Sequence, residues 1–386
     1  MSAGEERLLT IANVGILNFG PGALQQCATD IIGRKTRSVF LVTGKPTLFL
    51  CAPLVEELEK AGIKVTLWHD LAGEPTLSEF NDALETARRC GADVVVGLGG
   101  GSAMDVAKLV AALATGNQRI ENVLGTDLVA GRDLWLACIP TTSGTGSEVT
   151  PIAILGDEDA DLKKGVVSRF LVPDAAYLDP GLTVTMPSAV TAATGLDALT
   201  HCIEAYANRF AHPLIDSYAL IGISLIAGNL ERACKDGTDL VARSAMMRAS
   251  FYGGLCLGPV NTAAVHALAY PLGGEFHIAH GVANALLLPH VLRFNIEAAP
   301  ARYAAVAHAL GVPKSDDDSA DSLAGVEKII GLSDACGIKR RLSDFGIQRE
   351  AIPRMATAAM SVTRLLDRNL RKLSEADARA IFEAAW

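Results

Sequence analysis

Short β-rich apolar runs alternate with amphipathic helical patterns through the first half of the chain. The runs are SVFLVT (38–43), IKVTLW (63–68), DVVVGLG (93–99) and LWLACIP (134–140). Between them lie 51–62, 77–91 and 102–116, each with apolar residues three and four apart and a glycine at its end. That spacing predicts helices. Alternation of β and α predicts a parallel sheet flanked by helices. After Met186-Pro187 the strand-like runs stop, and Ala- and Leu-rich segments such as 188–210 and 243–258 predict helices with wide apolar faces. The expected architecture is an α/β domain over 1–185 and an all-helical domain over 186–386. Ligands in such layouts are expected in the cleft between domains.

Composition narrows the class. The 386 residues are 50% hydrophobic and 20% charged, as in a compact protein with a large core. A net charge of −9 and a pI near 5.4 argue against a nucleic-acid partner. No Lys/Arg run is present that would dock on an anionic membrane. The mean hydropathy of +0.29 raises the question of a membrane span. The best candidate, Ser217–Leu230, is bounded by Asp216 and Glu231 and falls short of the ~20 apolar residues a bilayer requires. It reads as a buried core helix. The first ten residues carry acids and no apolar stretch, so no secretory signal is expected. Eight cysteines without a CxxC pair read as reduced thiols of a cytoplasmic protein.

Two loops suit a dinucleotide. Gly99-Gly100-Gly101-Ser102 follows a strand run and opens a helix. Glycines there let the backbone turn sharply and approach a ligand, and the helix start offers N–H groups to a pyrophosphate. A plain tight turn is the alternative, since the spacing is not GxGxxG. Asp105 is placed to reach the ribose or nicotinamide side, and Lys108 to pair with it. Pro140–Glu148 (PTTSGTGSE) packs five hydroxyl residues and two glycines after the strand run LWLACI. It suits phosphate and ribose contacts, or simply a solvated turn.

The histidines suggest a metal. Asp197 and His201 are four apart in a helical pattern and share a face, fit for two ligands of one ion or for an Asp–His hydrogen bond. His266, His277 and His280 cluster around Pro271-Leu272-Gly273-Gly274. One Asp with two or three His suits Fe(II) or Zn(II) with a position open to substrate. Spacing alone does not choose among the three histidines or between the metals.

Five segments in order resemble the iron-containing (group III) alcohol dehydrogenases, over essentially the whole chain. They are GGGSAMDVAK (99–108), PTTSGTGSE (140–148), LVPDAAYLDPGLT (171–183), TGLDALTHCIEAY (194–206) and HALAYPLGGEFHIAHGVANALLLPH (266–290). The resemblance implies an N-terminal dinucleotide-binding α/β domain and an all-α metal-binding domain, the architecture shared with dehydroquinate synthase. It implies a metal held by Asp197, His201, His266 and His280. The cofactor, NAD or NADP, would contact Gly99, Gly100, Gly101, Ser102, Asp105, Thr141, Thr142, Thr145 and Lys163, with Lys164 beside the last. It also implies hydride transfer between the nicotinamide and a small alcohol or aldehyde, and a homodimer.

Three positions depart from the family pattern. Tyr270 stands where a second histidine commonly follows the third ligand, so Tyr270 or His277 is the expected proton relay. Gly44, followed by Lys45, stands where NAD-preferring members often carry an Asp that binds the ribose hydroxyls. Losing the acid removes repulsion against a 2′-phosphate, so NADP is expected to be tolerated or preferred. Glu74 replaces the Asn of the family's NPT, with no role evident from the sequence. The rivals are a metal-free maleylacetate reductase, disfavoured by the intact Asp/His set, and a zinc glycerol dehydrogenase, disfavoured by PTTSGTGSE and HGVANA. A dehydroquinate synthase-like lyase would require a basic pocket that the helical half does not suggest.

Overall fold

A computed structural model describes residues 7–71, 73–157 and 162–386. Its internal contacts define two units. One comprises the described residues of 12–142 and 146–184; the other comprises Thr185–Trp386, Ser143–Thr145 and Arg7–Ile11.

The first unit contains strands β1 (Ile16–Phe19), β2 (Ser38–Gly44), β3 (Lys64–Leu71), β4 (Val94–Gly99), β5 (Gly125–Thr126), β6 (Trp135–Pro140), β7 (Ile152–Asp157), β8 (Leu162–Val167) and β9 (Ala175–Leu178). Its helices are α1 (Ala23–Gly33), α2 (Ala52–Lys60), α3 (Leu77–Cys90) and α4 (Gly101–Leu113). Six strands form a parallel sheet in the order β1-β9-β6-β4-β2-β3. A parallel sheet is covered on both faces, so its strands are apolar throughout rather than alternating. Phe40 and Val42 of β2 pack with Phe80 of α3 and Met104 of α4. Val39 and Leu41, pointing the other way, pack with Ile31 of α1 and Leu58 of α2. Helix α3 starts where Thr76 Oγ1 accepts from the Glu79 amide and Glu79 returns a carboxylate to the Thr76 amide.

The chain runs from β2 outward to β3, then returns to β4 on the other side of β2. That reversal opens a crevice beyond the carboxyl ends of β2 and β4, where open α/β sheets bind ligands. Gly44 ends β2 and Gly99 ends β4.

Several elements exceed the sequence reading. Strands β1 and β9 have four residues each, too few to show a period. Strands β7 and β8 pair antiparallel, with β5 added parallel to β8, in a separate three-stranded sheet. Along β7, half-buried and buried residues alternate, as befits a sheet with one wetter face.

The second unit is helical: α5 (Ser188–Tyr206), α6 (Pro213–Lys235), α7 (Leu240–Leu257), α8 (Ala264–Gly274), α9 (His280–Ile296), α10 (Pro300–Ala309), α11 (Asp318–Ala335), α12 (Ile352–Met360), α13 (Thr363–Leu366) and α14 (Glu375–Ala385). They share one core. In α5 every residue from Gly195 to Tyr206 is buried. Helix α6 differs from the expectation of a buried helix. Ile215, Ala219, Ile223, Ile226 and Leu230 form its buried stripe, while Leu214 and Ile221 are about half exposed. Among the described residues it is the one helix long and apolar enough to cross a membrane. Its buried stripe packs on α5 and α7.

Candidate metal centre and dinucleotide loops

Buried polar groups require partners, and α5 carries three on one face: Asp197, His201 and Glu204, at spacings of four and three. Helix α8 adds His266 and the first residue of α9 is His280. The three imidazoles converge on one carboxylate oxygen. From Asp197 Oδ1, the Nε2 atoms of His201, His266 and His280 lie at 3.7, 3.6 and 3.7 Å. The rings of His201 and His266 stack at 4.8 Å between centroids.

The remaining ring nitrogens orient the set. His266 Nδ1 lies 2.6 Å from Glu204 Oε2, and His201 Nδ1 lies 3.3 Å from the Gly144 carbonyl. In the neutral rings that bind a metal, donation from Nδ1–H to these acceptors leaves each Nε2 lone pair facing Asp197. Glu204 Oε1 also accepts from the Val265 amide at 2.6 Å, which ties α5 to the start of α8.

Electrostatics follow from this packing. Burial opposes ionisation of Asp197, but the histidines outweigh it and hold the carboxyl well below the usual range. Burial also pulls His266 down, yet Glu204 and Asp197 lift it to about 9. Burial dominates at His201 and lowers it.

The donor set fits a divalent ion. Asp197, His201 and His266 each offer a donor atom within 4.8 Å of the other two, room for one shared ion, and His280 Nε2 approaches the same carboxylate oxygen from the exposed side. One carboxylate with three imidazoles is a ligand set for Fe(II) or Zn(II). Asp197 and His266 are nearly inaccessible, whereas the His280 side chain is 32% exposed, so the group opens on its His280 side.

Of the other two candidates, Tyr270 lies half-buried one turn beyond His266 on α8. His277 is exposed, in a left-handed backbone conformation (φ 53°) between α8 and α9. Two residues here escaped sequence reasoning. Glu204 falls three residues after His201, on the ligand face of α5, a spacing that could have flagged it. Asn284 follows His280 by four and donates from Nδ2 to Asp197 Oδ1 at 2.8 Å.

In the α/β unit, Gly99 lets β4 meet α4 closely. A Cβ there would stand 2.8 Å from that of Ala103. Gly100, Gly101 and Ser102 form the start of α4, whose first-turn N–H groups have no partner within the helix. The Thr141 amide donates to the Gly99 carbonyl at 2.9 Å, and Thr142 lies beside Gly100. Thr141 Oγ1 is buried with no hydrogen-bond partner among the described residues, the state of a hydroxyl awaiting a polar ligand.

Asp105 and Lys108 turn inward. Asp105 accepts from Ser147 Oγ at 2.5 Å and from the Ile154 amide at 2.9 Å. Lys108 Nζ donates to Ser147 Oγ, Thr150 Oγ1 and the Ile152 carbonyl at 2.7–3.0 Å. Together they brace the chain after the hydroxyl-rich loop. Burial lifts the neighbouring Glu148 to about 7. Lys163 Nζ pairs with Glu74 Oε1 at 2.6 Å, which gives Glu74 a structural role. Within the helical unit, Ser143 and Thr145 flank Gly144, where a Cβ would stand 2.7 Å from that of Thr194 on α5.

Comparison with known proteins shows the family. A family model described as iron-containing alcohol dehydrogenase matches residues 15–180. One for the C-terminal part of the Fe-containing alcohol dehydrogenase family matches 191–386. Long-chain-alcohol dehydrogenase 1 of Geobacillus thermodenitrificans is 40% identical over 376 residues, covering 96% of this chain and 94% of the relative. The crystal structure of a 1,3-propanediol oxidoreductase superposes with a TM-score of 0.95 at 33% identity, covering 98% of this chain and all of the other. Sulfoacetaldehyde reductase from Bifidobacterium kashiwanohense, solved in complex with NAD+, does so at 0.87 and 27% identity, covering 98% and 99%. The chain belongs to the iron-containing alcohol dehydrogenase family and is an oxidoreductase of alcohols and aldehydes.

Proposed function

We propose that the protein transfers a hydride between NAD(P)(H) and a small aliphatic alcohol or aldehyde, with one divalent ion, Fe(II) before Zn(II), held by Asp197, His201, His266 and His280. The observation that carries this is the convergence of three imidazole Nε2 atoms on one buried carboxylate oxygen. Such an ion, when bound, supplies Lewis acidity toward the substrate oxygen, and the nicotinamide supplies the hydride chemistry. The protein's own residues do the rest. Glu204 and the Gly144 carbonyl hold two imidazoles in the ligating tautomer. The glycine turn and first-turn amides of α4 receive the pyrophosphate, with Thr141, Thr142, Thr145 and Lys163 as further contacts. Tyr270 or His277 moves the hydroxyl proton.

The test is absorbance at the reduced-nicotinamide band, after reconstitution with Fe(II) or Zn(II), over short alcohols, aldehydes and semialdehydes with both cofactors. No turnover in any combination overturns the reading. In the same assay, Tyr270→Phe and His277→Ala are compared by pH–rate profile. Unchanged profiles in both remove them from the proton path.

Cofactor choice is set at Gly44. Its backbone is extended (φ −109°), and an added Cβ would meet nothing nearer than 3.6 Å. A carboxylate is therefore sterically admissible there. The unmodified chain is expected to accept NADPH. Gly44→Asp is expected to shift the kcat/KM ratio toward NADH by ~10-fold or more, as a repelled 2′-phosphate implies. A strong NADH preference before substitution would sink this argument.

We place the enzyme in the cytoplasm as a homodimer. Its cysteines are free. Edge strand β1 exposes Ile16, Leu17 and Phe19 to about half their area, a surface suited to a second copy. Sedimentation velocity measures the mass, and a monomer at micromolar concentration refutes the dimer.

A further inference from the structure

Asn284 lies one turn after His280 and is fully buried. Its Nδ2 is 2.8 Å from Asp197 Oδ1, 3.1 Å from His266 Nε2 and 3.2 Å from His280 Nε2. Its Oδ1 is buried with no hydrogen-bond partner among the described residues. In the ligating tautomers both Nε2 atoms are acceptors, so the two N–H bonds would be shared among three acceptors while Oδ1 has none of its own. Each Nε2 has one lone pair, the same one a metal ion takes.

The ends of a carboxamide are nearly isosteric, and the hydrogen-bond network assigns them. Half a turn about the last side-chain torsion exchanges Oδ1 and Nδ2 with no change of shape. Oδ1 would then face a carboxylate and two lone pairs, and a cation among those atoms turns that repulsion into attraction. The spacing agrees. Donors at right angles on an ion with ~2.1 Å bonds are ~3.0 Å apart, and the three observed separations bracket that value.

We propose that Asn284 is a fifth donor of the metal centre, presenting its carboxamide oxygen to the ion. This rests on the reading of Asp197, His201, His266 and His280 as the ligand set. A neutral oxygen donor raises the coordination number and hardens the set. Zn(II) is content with four ligands, so the added oxygen favours Fe(II).

Asn284→Leu removes the donor at similar volume, and Asn284→Asp keeps an oxygen. Each variant is purified anaerobically, checked by circular dichroism and titrated with Fe(II) and Zn(II) against a chelator. His266→Ala serves as control. The expected result is that Asn284→Leu loses Fe(II) affinity ~10–100-fold and Zn(II) affinity clearly less, while Asn284→Asp retains both. Equal loss of both metals would assign Asn284 to orienting Asp197 and overturn the fifth-donor proposal. Unchanged affinities would overturn it too, provided His266→Ala has lost metal. Retention of metal by His266→Ala would instead refute the ligand set. Should Asn284→Leu fail to fold, Co(II)-loaded wild type and Asn284→Ser decide. The visible d–d bands are expected to intensify in the serine variant as the coordination number falls, and unchanged bands overturn the proposal.

Discussion

Asp197→Ala is expected to purify nearly metal-free and to lose kcat/KM by ~10³-fold or more, the scale on which loss of a Lewis acid is felt. Asp197 supplies the one negative charge among the four proposed ligands, and all three Nε2 atoms are placed around its Oδ1. Removing it leaves three imidazoles facing one another in the core, with no anion to offset a divalent charge. Asp197→Asn separates shape from charge and is expected to fall nearly as far. Glu204→Gln tests a partner one bond further out. It keeps a hydrogen-bond acceptor for His266 Nδ1 but loses the charge, and weakening of metal affinity by ~10–100-fold is expected. Metal content by mass spectrometry and activity on the same sample are the measurements. Full metal occupancy in Asp197→Ala would end the reading of this cluster as the metal centre.

Gly281→Ala is expected to be nearly as damaging, through geometry rather than charge. A Cβ at Gly281 would stand 2.2 Å from the Ala193 carbonyl oxygen and 2.7 Å from its carbon, both backbone atoms of α5. Neither can step aside as a side chain can, so the start of α9 must retreat from α5. His280 precedes this glycine and Asp197 lies one turn beyond Ala193, so the retreat separates two proposed ligands. Overpacking of this kind costs ~2–3 kcal/mol, a fall in Tm of ~5–10 °C for a unit of this size. Weakened metal binding accompanies it. Gly228→Ala on α6 is the control, because nothing lies within 4 Å of its added Cβ, and its Tm is expected to hold or rise. A Gly281→Ala protein with unchanged Tm and metal content would show that the contact relaxes without cost.

The α/β alternation and the shift to helices were legible because wholly buried strands and amphipathic helices write long, regular patterns. β2 and β4 are each six or seven residues of nearly unbroken burial. β1, β5 and β9 are too short for a pattern and exist through partners distant in sequence. The Asp197–His201 pair was legible as a helix spacing. Spacing could not separate His277 from His266 and His280; in the structure His277 is exposed while the other two face Asp197. Glu204 and Asn284 read as ordinary helix residues until folding brought α8 and α9 against α5. The inward turn of Asp105 and Lys108 was hidden for the same reason, since Ser147, Thr150 and Ile154 lie some forty residues or more away.

The unbroken burial of α5 from Gly195 to Tyr206 bears on how such an enzyme can diversify. A helix without a solvent-facing position over three turns tolerates little drift, because each change there is paid in packing, in ligation or in both. Freedom to vary lies at the rim, at exposed positions such as Ala279 that hold neither the ion nor a proton. Directed evolution of substrate range should therefore accumulate its productive changes around that rim and leave α5 untouched.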